Sequence, residues 1–160
     1  MSFFRTKNYA IRLFNISDIS ENYLKWFSKP NNQFIVHKTY NLKTLKKYCL
    51  EKINDKKILF FAIVDLKSGI HIGNLKIEVE RSNFNTCTLG IFIGETKFQG
   101  KGVFFEIFLE LKKWLKKNTS IKKIKAGVDI KNIFSKSAFI KCGFKQIKKN
   151  SIKISYQILI

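Results

Sequence analysis

The chain has 160 residues, 45% of them hydrophobic and 26% charged, which suits one domain over residues 1–160 with a core of its own and excludes a disordered polymer. Its formal net charge is +20, yet arginine supplies only Arg5, Arg12 and Arg81 of the 31 basic residues. With Phe, Ile and Asn also abundant, this reads first as the codon bias of an AT-rich genome and second as attraction to an anionic partner; nucleic-acid readout, which leans on arginine, is not expected.

Residues 9–14 are the first expected strand. Ser17-Asp18-Ile19-Ser20-Glu21 opens a helix, with Asp18 and Glu21 spaced as a capping box and Ile19, Tyr23, Trp26 and Phe27 on its apolar face. Lys29-Pro30-Asn31-Asn32 is a turn cluster. A second helix is expected over 41–54, with Leu42, Leu45, Cys49 and Ile53 on one face. Strands over 58–65, 70–80 and 86–93, joined by short polar turns, read as an antiparallel meander. The longest helix is expected over 100–118, its apolar face carrying Val103, Phe104, Ile107, Phe108, Leu111, Trp114 and Leu115, with lysines in its last turn where the helix dipole favours them. A strand over 124–129, a helix over 132–142 stopped by Gly143, and strands over 144–147 and 152–160 complete the order β-α-α-β-β-β-α-β-α-β-β, a mixed sheet with helices packed on it.

The longest strongly apolar run, 58–64, is too short to cross a bilayer, and the N-terminus has no charged segment followed by an apolar one. Cys49, Cys87 and Cys142 are odd in number, far apart, and form no ligand cluster with His37 or His71. The expectation is a cytoplasmic protein with no metal site and with all three thiols as small core residues.

One segment points to chemistry. Gly94-Glu95-Thr96-Lys97-Phe98-Gln99-Gly100-Lys101-Gly102-Val103 lies between a strand and the start of a helix. A helix N-terminus offers free N–H groups and a positive dipole end, and glycines let backbone approach a phosphate closely. A Gly-Lys-Gly before a helix is weak evidence alone, since an ordinary turn has the same composition. Its surroundings are more specific. Gln99-x-x-Gly102-x-Phe104, followed about thirty residues later by Asn132-x-x-Ser135 and Lys141-Cys142-Gly143-Phe144, resembles the two signatures of the GNAT N-acetyltransferases, in order and on the expected elements. The resemblance reaches back to Trp26-Phe27 and Asn31-Asn32, so it covers nearly the whole chain.

The resemblance implies a mixed, mostly antiparallel α/β (α+β) sheet of about seven strands with about four helices, splayed between the fourth and fifth strands. It implies acetyl-CoA as co-substrate. Pantetheine would run along Ile91, Phe92 and Ile93. The pyrophosphate would rest on the amides of Phe98, Gln99, Gly100, Lys101, Gly102, Val103 and Phe104. Asn132 would face the pantetheine arm, with Ser135 nearby and with Lys101 and Lys136 toward the phosphates. Two positions depart from the family pattern. Phe104 replaces a small residue, and its spacing to Phe108 and Leu111 sends its ring to the core and leaves its N–H available. Phe139 stands where many relatives carry a tyrosine acid.

Acetyl transfer from a thioester to an amine needs no enzyme nucleophile, only alignment, proton removal and an oxyanion donor. Glu78 and Glu80 share a strand face and are candidate bases; His37, in the loop before the second helix, is another, with His71 and Asp129 behind them. Tyr156 is a candidate acid. Each has an ordinary alternative, as a solvated charge, a loop histidine or a core tyrosine. The closest resemblance, through Ile72-Gly73-Asn74-Leu75-Lys76 and Gly90-Ile91-Phe92-Ile93-Gly94-Glu95, is to the branch with ribosomal-protein N-terminal acetyltransferases and compact amino-sugar acetyltransferases. An amino-sugar on a nucleotide carrier, an anionic acceptor, ranks first, then a protein N-terminus, then a small amine or antibiotic. A non-enzymatic basic binding module on a degenerate fold is the alternative of a different class. A homodimer is left open.

Overall fold

The computed structural model describes residues 3–29, 33–34 and 41–160. Its elements are β1 (Phe4–Arg5), β2 (Tyr9–Leu13), α1 (Glu21–Trp26), α2 (Leu42–Asn54), β3 (Ile58–Asp65), β4 (His71–Val79), β5 (Thr86–Ile93), α3 (Val103–Asn118), β6 (Lys123–Asp129), α4 (Ile133–Lys141), β7 (Lys145–Lys149) and β8 (Lys153–Leu159). They form one sheet in the order β1-β2-β3-β4-β5-β6-β8-β7. Every neighbouring pair is antiparallel except β5 and β6, which are parallel.

The expected elements are present with two corrections. The sheet has eight strands, because Phe4 and Arg5 pair with Ile11 and Ala10 at one edge; two residues are too few to show a period-2 pattern. The capping box is not at the head of α1. It belongs to a single 3-10 turn, Ile16–Asp18, where Asn15 Oδ1 accepts from Ser17 N and Asp18 Oδ2 accepts from Asn15 N. Ser20 caps α1 instead, accepting from Tyr23 N. Asp18 has a second task that fixes this turn, a two-pronged ion pair with Arg12 from β2. The Asn31-Asn32 turn and His37 lie outside the described residues.

The helices cover two faces of the sheet. On one, α3 and α4 press on alternate residues of the central strands: Leu75 and Ile77 of β4, Cys87 and Leu89 of β5, Ile124, Ala126 and Val128 of β6, Ile154 and Tyr156 of β8. On the other, α1 and α2 cover only part of the sheet, burying Tyr23, Trp26, Leu45 and Cys49 against Phe14, Phe60 and Ala62. Beyond β5 this second face carries no helix among the described residues. All three cysteines are buried and free, and no helix among the described residues is long and apolar enough to cross a membrane.

Phe104 falls where its spacing predicts. It is 7% exposed, with its ring centroid 5.5 Å from Phe108 and 4.9 Å from Phe139. Phe139 continues the cluster to Phe144 and to Tyr156. The two departures from the family pattern therefore pack on each other, one large ring answering the other, and tie α3 to α4. Phe104→Ala should lower stability by about 3–5 kcal/mol, the usual cost of emptying a buried phenyl site. Phe104→Leu should lose much less; thermal or denaturant unfolding of both variants checks this.

Candidate active site

The parallel pairing of β5 with β6 covers three positions only: Thr86 with Lys123, Cys87 with Ile124 and Thr88 with Lys125. Past them the strands part. β5 stays bonded to β4 as far as Ile93, and β6 stays bonded to β8 as far as Asp129. Residues 89–93 and 126–129 therefore face each other across a gap with edges that do not pair to one another. Backbone N–H and C=O groups in such a place need partners, and an extended amide-bearing chain supplies them.

The loop after β5 closes over this gap. Ile93 is followed by a 3-10 turn, Thr96–Phe98, and then by Gln99, whose side-chain amide donates to the Ile93 carbonyl at 2.7 Å. Gly100 and Gly102 have φ of 70° and 76°, the left-handed region that favours glycine, and a Cβ added at either would meet nothing within 4 Å. The concave side of the loop is thus open space. Gly102 is the N-cap of α3 and has no side chain to cap with, whereas Ser20, Asn41 and Asn132 each cap their helices through a side-chain oxygen. The first intrahelical donor of α3 is Glu106, bonded to the Gly102 carbonyl at 3.1 Å. The amides of Val103, Phe104 and Phe105 precede it and have no acceptor within the helix. The longest helix of the chain therefore opens its positive end beside the gap with its donors unspent, an arrangement suited to a pyrophosphate.

α1 holds the near side of this loop. The Trp26 ring lies on Gly94, so closely that a Cβ there would come within 1.9 Å of Cδ2, and Trp26 Nε1 donates to Glu95 Oε1 at 2.7 Å. The Gly94 and Glu95 amides both donate to the Ile72 carbonyl of β4. These anchors were not legible beforehand. Trp26 reads as a core residue, and only the Gly94 contact shows why no larger residue fits the start of the loop.

The remaining candidates separate by position. Val103 and Phe104 bury their side chains and offer backbone only. Phe92 points to the opposite face, against Trp26 and Phe27, so only its backbone borders the gap. Phe98 packs on the core, with Lys97 over its ring. Asn132 uses its Oδ1 to cap Ser135 N at 3.0 Å, which leaves its amide nitrogen as the free group. Lys136 donates to the Ile130 carbonyl at 2.9 Å, a bond that ties it to the β6–α4 turn, while Lys101 is exposed on the loop itself. Asp129 accepts from Lys131 N at 2.8 Å and organises that same turn.

Among the proton-transfer candidates, Glu78 and Glu80 lie with Lys76 on the face away from Leu75 and Ile77. Glu78 Oε2 accepts from Lys76 at 2.8 Å, and Glu80 Oε1 accepts from Lys125 of β6 at 2.8 Å. Glu80 is thus at the closed end of the gap, while Glu78, in register with Thr88, is at the point where the strands begin to part. Tyr156 is 2% exposed and stacked on Phe139 at 6.2 Å, a core position. Asn74, the next residue of the Lys76 row, is 5% exposed and donates to the Phe61 carbonyl. Its Oδ1 is buried without a donor among the described residues.

His71 sits among Phe14, Tyr23 and Trp26, with Nε2 2.9 Å from the Gly73 carbonyl, beside a cavity of about 250 Å³ that Asp18 and Glu95 also line. Burial lowers its pKa from the ordinary 6.5, against the opposing pull of Asp18. Burial thus favours the neutral ring, and the carbonyl beside Nε2 favours a proton on that nitrogen. Because the unfolded chain binds this proton more readily than the folded one, stability should rise as pH increases through the interval below 6.5. Melting temperatures at pH 5.5 and 7.5 check this. His71→Gln, which keeps a donor to Gly73, should flatten the difference.

An open helix N-terminus over a parted pair of parallel strands is an arrangement suited to an acyl-coenzyme A. The family comparison agrees: the model for the "Acetyltransferase (GNAT) domain" matches residues 9–145, and the chain belongs to that family, whose co-substrate is acetyl-CoA. Among solved structures, it is similar to a domain from Methanocaldococcus jannaschii (25% identity, TM-score 0.76, covering 98% of this chain and 100% of that one). It is also similar to a GNAT-family acetyltransferase from Bacillus anthracis (17%, 0.82, 97% and 96%) and to the ribosomal-protein-S5-alanine acetyltransferase of Vibrio fischeri (19%, 0.76, 99% and 96%). No curated relative matches the sequence significantly.

Proposed function

We propose that this acetyltransferase moves an acetyl group from acetyl-CoA to a primary amine by direct attack within a ternary complex, and that the amine belongs to an amino-sugar on a nucleotide carrier. The observation that supports the first part most is the uncapped N-terminus of α3 at the mouth of the β5–β6 gap. In this reading the amides of Gly100, Gly102, Val103 and Phe104 hold the pyrophosphate. The edges of residues 89–93 and 126–129 hold the pantetheine arm, with the Asn132 amide nitrogen beside it. A free N–H of the β5 edge stabilises the oxyanion as the amine attacks. The acceptor enters from the face that lacks a helix beyond β5. Glu78, at the point of divergence, takes the proton directly or through water. The core position of Tyr156 gives it no part in that step.

The charge supports an anionic acceptor. A +20 chain accelerates encounter with a nucleotide-sugar and repels a polyamine. The ribosomal-protein-S5-alanine acetyltransferase of Vibrio fischeri has a similar fold, and a protein N-terminus is the second reading of the acceptor.

Titration calorimetry with acetyl-CoA tests the co-substrate site. Saturable binding in the micromolar range is expected. Gly102→Asp, which sets a carboxylate where the pyrophosphate rests and strains a left-handed backbone position, should weaken it at least tenfold, about 1.4 kcal/mol. Glu78→Gln should lower kcat while leaving acetyl-CoA affinity within twofold. Absence of binding at millimolar acetyl-CoA would instead favour a binding module.

A further inference from the structure

The acceptor side of the gap is built from two glycines and two lysines. Continuing the β5–β6 register two residues past Thr88 and Lys125 brings Gly90 level with Gly127, one on each side of the parting. Both belong to the face away from α3, since their neighbours Leu89, Ile91, Ala126 and Val128 point into the α3 core. Neither strand therefore has a side chain at this level, and each glycine is instead crossed by a lysine from the strand outside it. Lys76 of β4, paired with Gly90, lies over it, its Cε 3.8 Å from where a Cβ would stand. Lys153 of β8 lies over Gly127 so closely that a Cβ there would come within 1.9 Å of Cε and 2.5 Å of Nζ.

The two ammonium groups differ in their partners. Lys76 is paired with Glu78, and the next lysine on this face, Lys125, is paired with Glu80. Lys153 has no carboxylate within ion-pair distance among the described residues, although Asp129 is its strand neighbour; that carboxylate is turned to the Lys131 amide. An ammonium with no carboxylate partner among the described residues, laid across a glycine on the same sheet face as a second lysine, offers a donor to an anion.

We propose that Lys153 and Lys76 form a phosphate seat on the acceptor side of the gap, so that the acceptor is an amine that also carries a phosphate or pyrophosphate. This deepens the reading given above and rests on it. Gly90 and Gly127 let the two lysine side chains lie against the strands, and the lysines take the acceptor's phosphate as point charges. The same field disfavours a protonated amine nearby and so presents the nucleophile in its reactive, neutral form. Glu78, bonded to Lys76, is one residue pair from the seat and stands to receive the proton. A cationic acceptor such as a polyamine is excluded by the same two charges.

The test uses the full chain saturated with coenzyme A, so that the α3 site is filled, and inorganic pyrophosphate as the probe. Amide resonances of Gly90 and Gly127 should shift saturably on addition. Lys153→Gln should weaken this binding at least tenfold, Lys153→Arg should restore most of it, and the charge-matched Lys46→Gln on α2 should not change it. Affinity for acetyl-CoA should stay within twofold in all three variants. Shifts scattered over the lysine-rich surface, or equal losses in Lys153→Gln and Lys46→Gln, would overturn the seat while leaving the co-substrate reading intact. A failure of coenzyme A itself to bind would overturn that reading separately. With acceptors, acetylation of glucosamine 6-phosphate should lose at least tenfold in kcat/KM on Lys153→Gln while that of glucosamine, which carries no phosphate, should not. Equal losses for both would contradict the proposal.

Discussion

The structure turns on the early end of one parallel strand pair. After three residues β5 and β6 stop bonding to each other, and each remains committed to its outer neighbour. Two half-sheets thus share a short seam and diverge. A sheet interrupted in this way leaves backbone polar groups facing a gap, at a cost of about 1–3 kcal/mol for each one buried without a partner. Folding tolerates it because both half-sheets are pinned from one side by the α3–α4 layer. There, Phe104 and Phe139 pack on each other and join the helices that begin at the two sides of the opening.

That layer also sets the polarity of the site. α3 begins where β5 ends and α4 begins where β6 ends, so two helix N-termini stand at the same mouth. They are finished differently: Asn132 caps α4 with its own side chain, while Gly102 leaves α3 open. One helix end is closed by a side chain and the other is open, as the proposed pyrophosphate seat requires. On the far face α1 braces the loop through Trp26 and Glu95, and beyond β5 no helix among the described residues covers the sheet. In the proposed reading one face takes the co-substrate phosphates and the other the acceptor, with the strand edges between them.

The elements were legible in the sequence where periodicity was long. Val103 to Leu115 on α3 and the alternating residues of β4 and β5 declare their buried faces, the continuous apolar run of β3 marks a strand buried on both faces, and the Gln99–Gly102 loop and Asn132–Gly143 segment declare the family. Shorter signals failed for physical reasons. β1 is too short to have a pattern. The Asp18–Glu21 spacing reads as a capping box on α1, whereas Asp18 closes the preceding 3-10 turn, because its decisive partner, Arg12, is on another element. The partner of Glu80, Lys125, is 45 residues away in sequence and cannot be read along its own strand. Lys153 was lost among 31 basic residues. Only the glycine beneath it and the turning away of Asp129 distinguish it, and both are properties of strand pairing rather than of local sequence.

The most direct test of this account is amide mapping by nitrogen-15 NMR during titration with coenzyme A. The account predicts that the largest shifts fall on Gly100, Gly102, Val103 and Phe104 and continue along residues 89–93 and 126–129, with β1, β2 and α2 silent. Shifts spread over the lysine-bearing surface, with the α3 N-terminus unmoved, would contradict it.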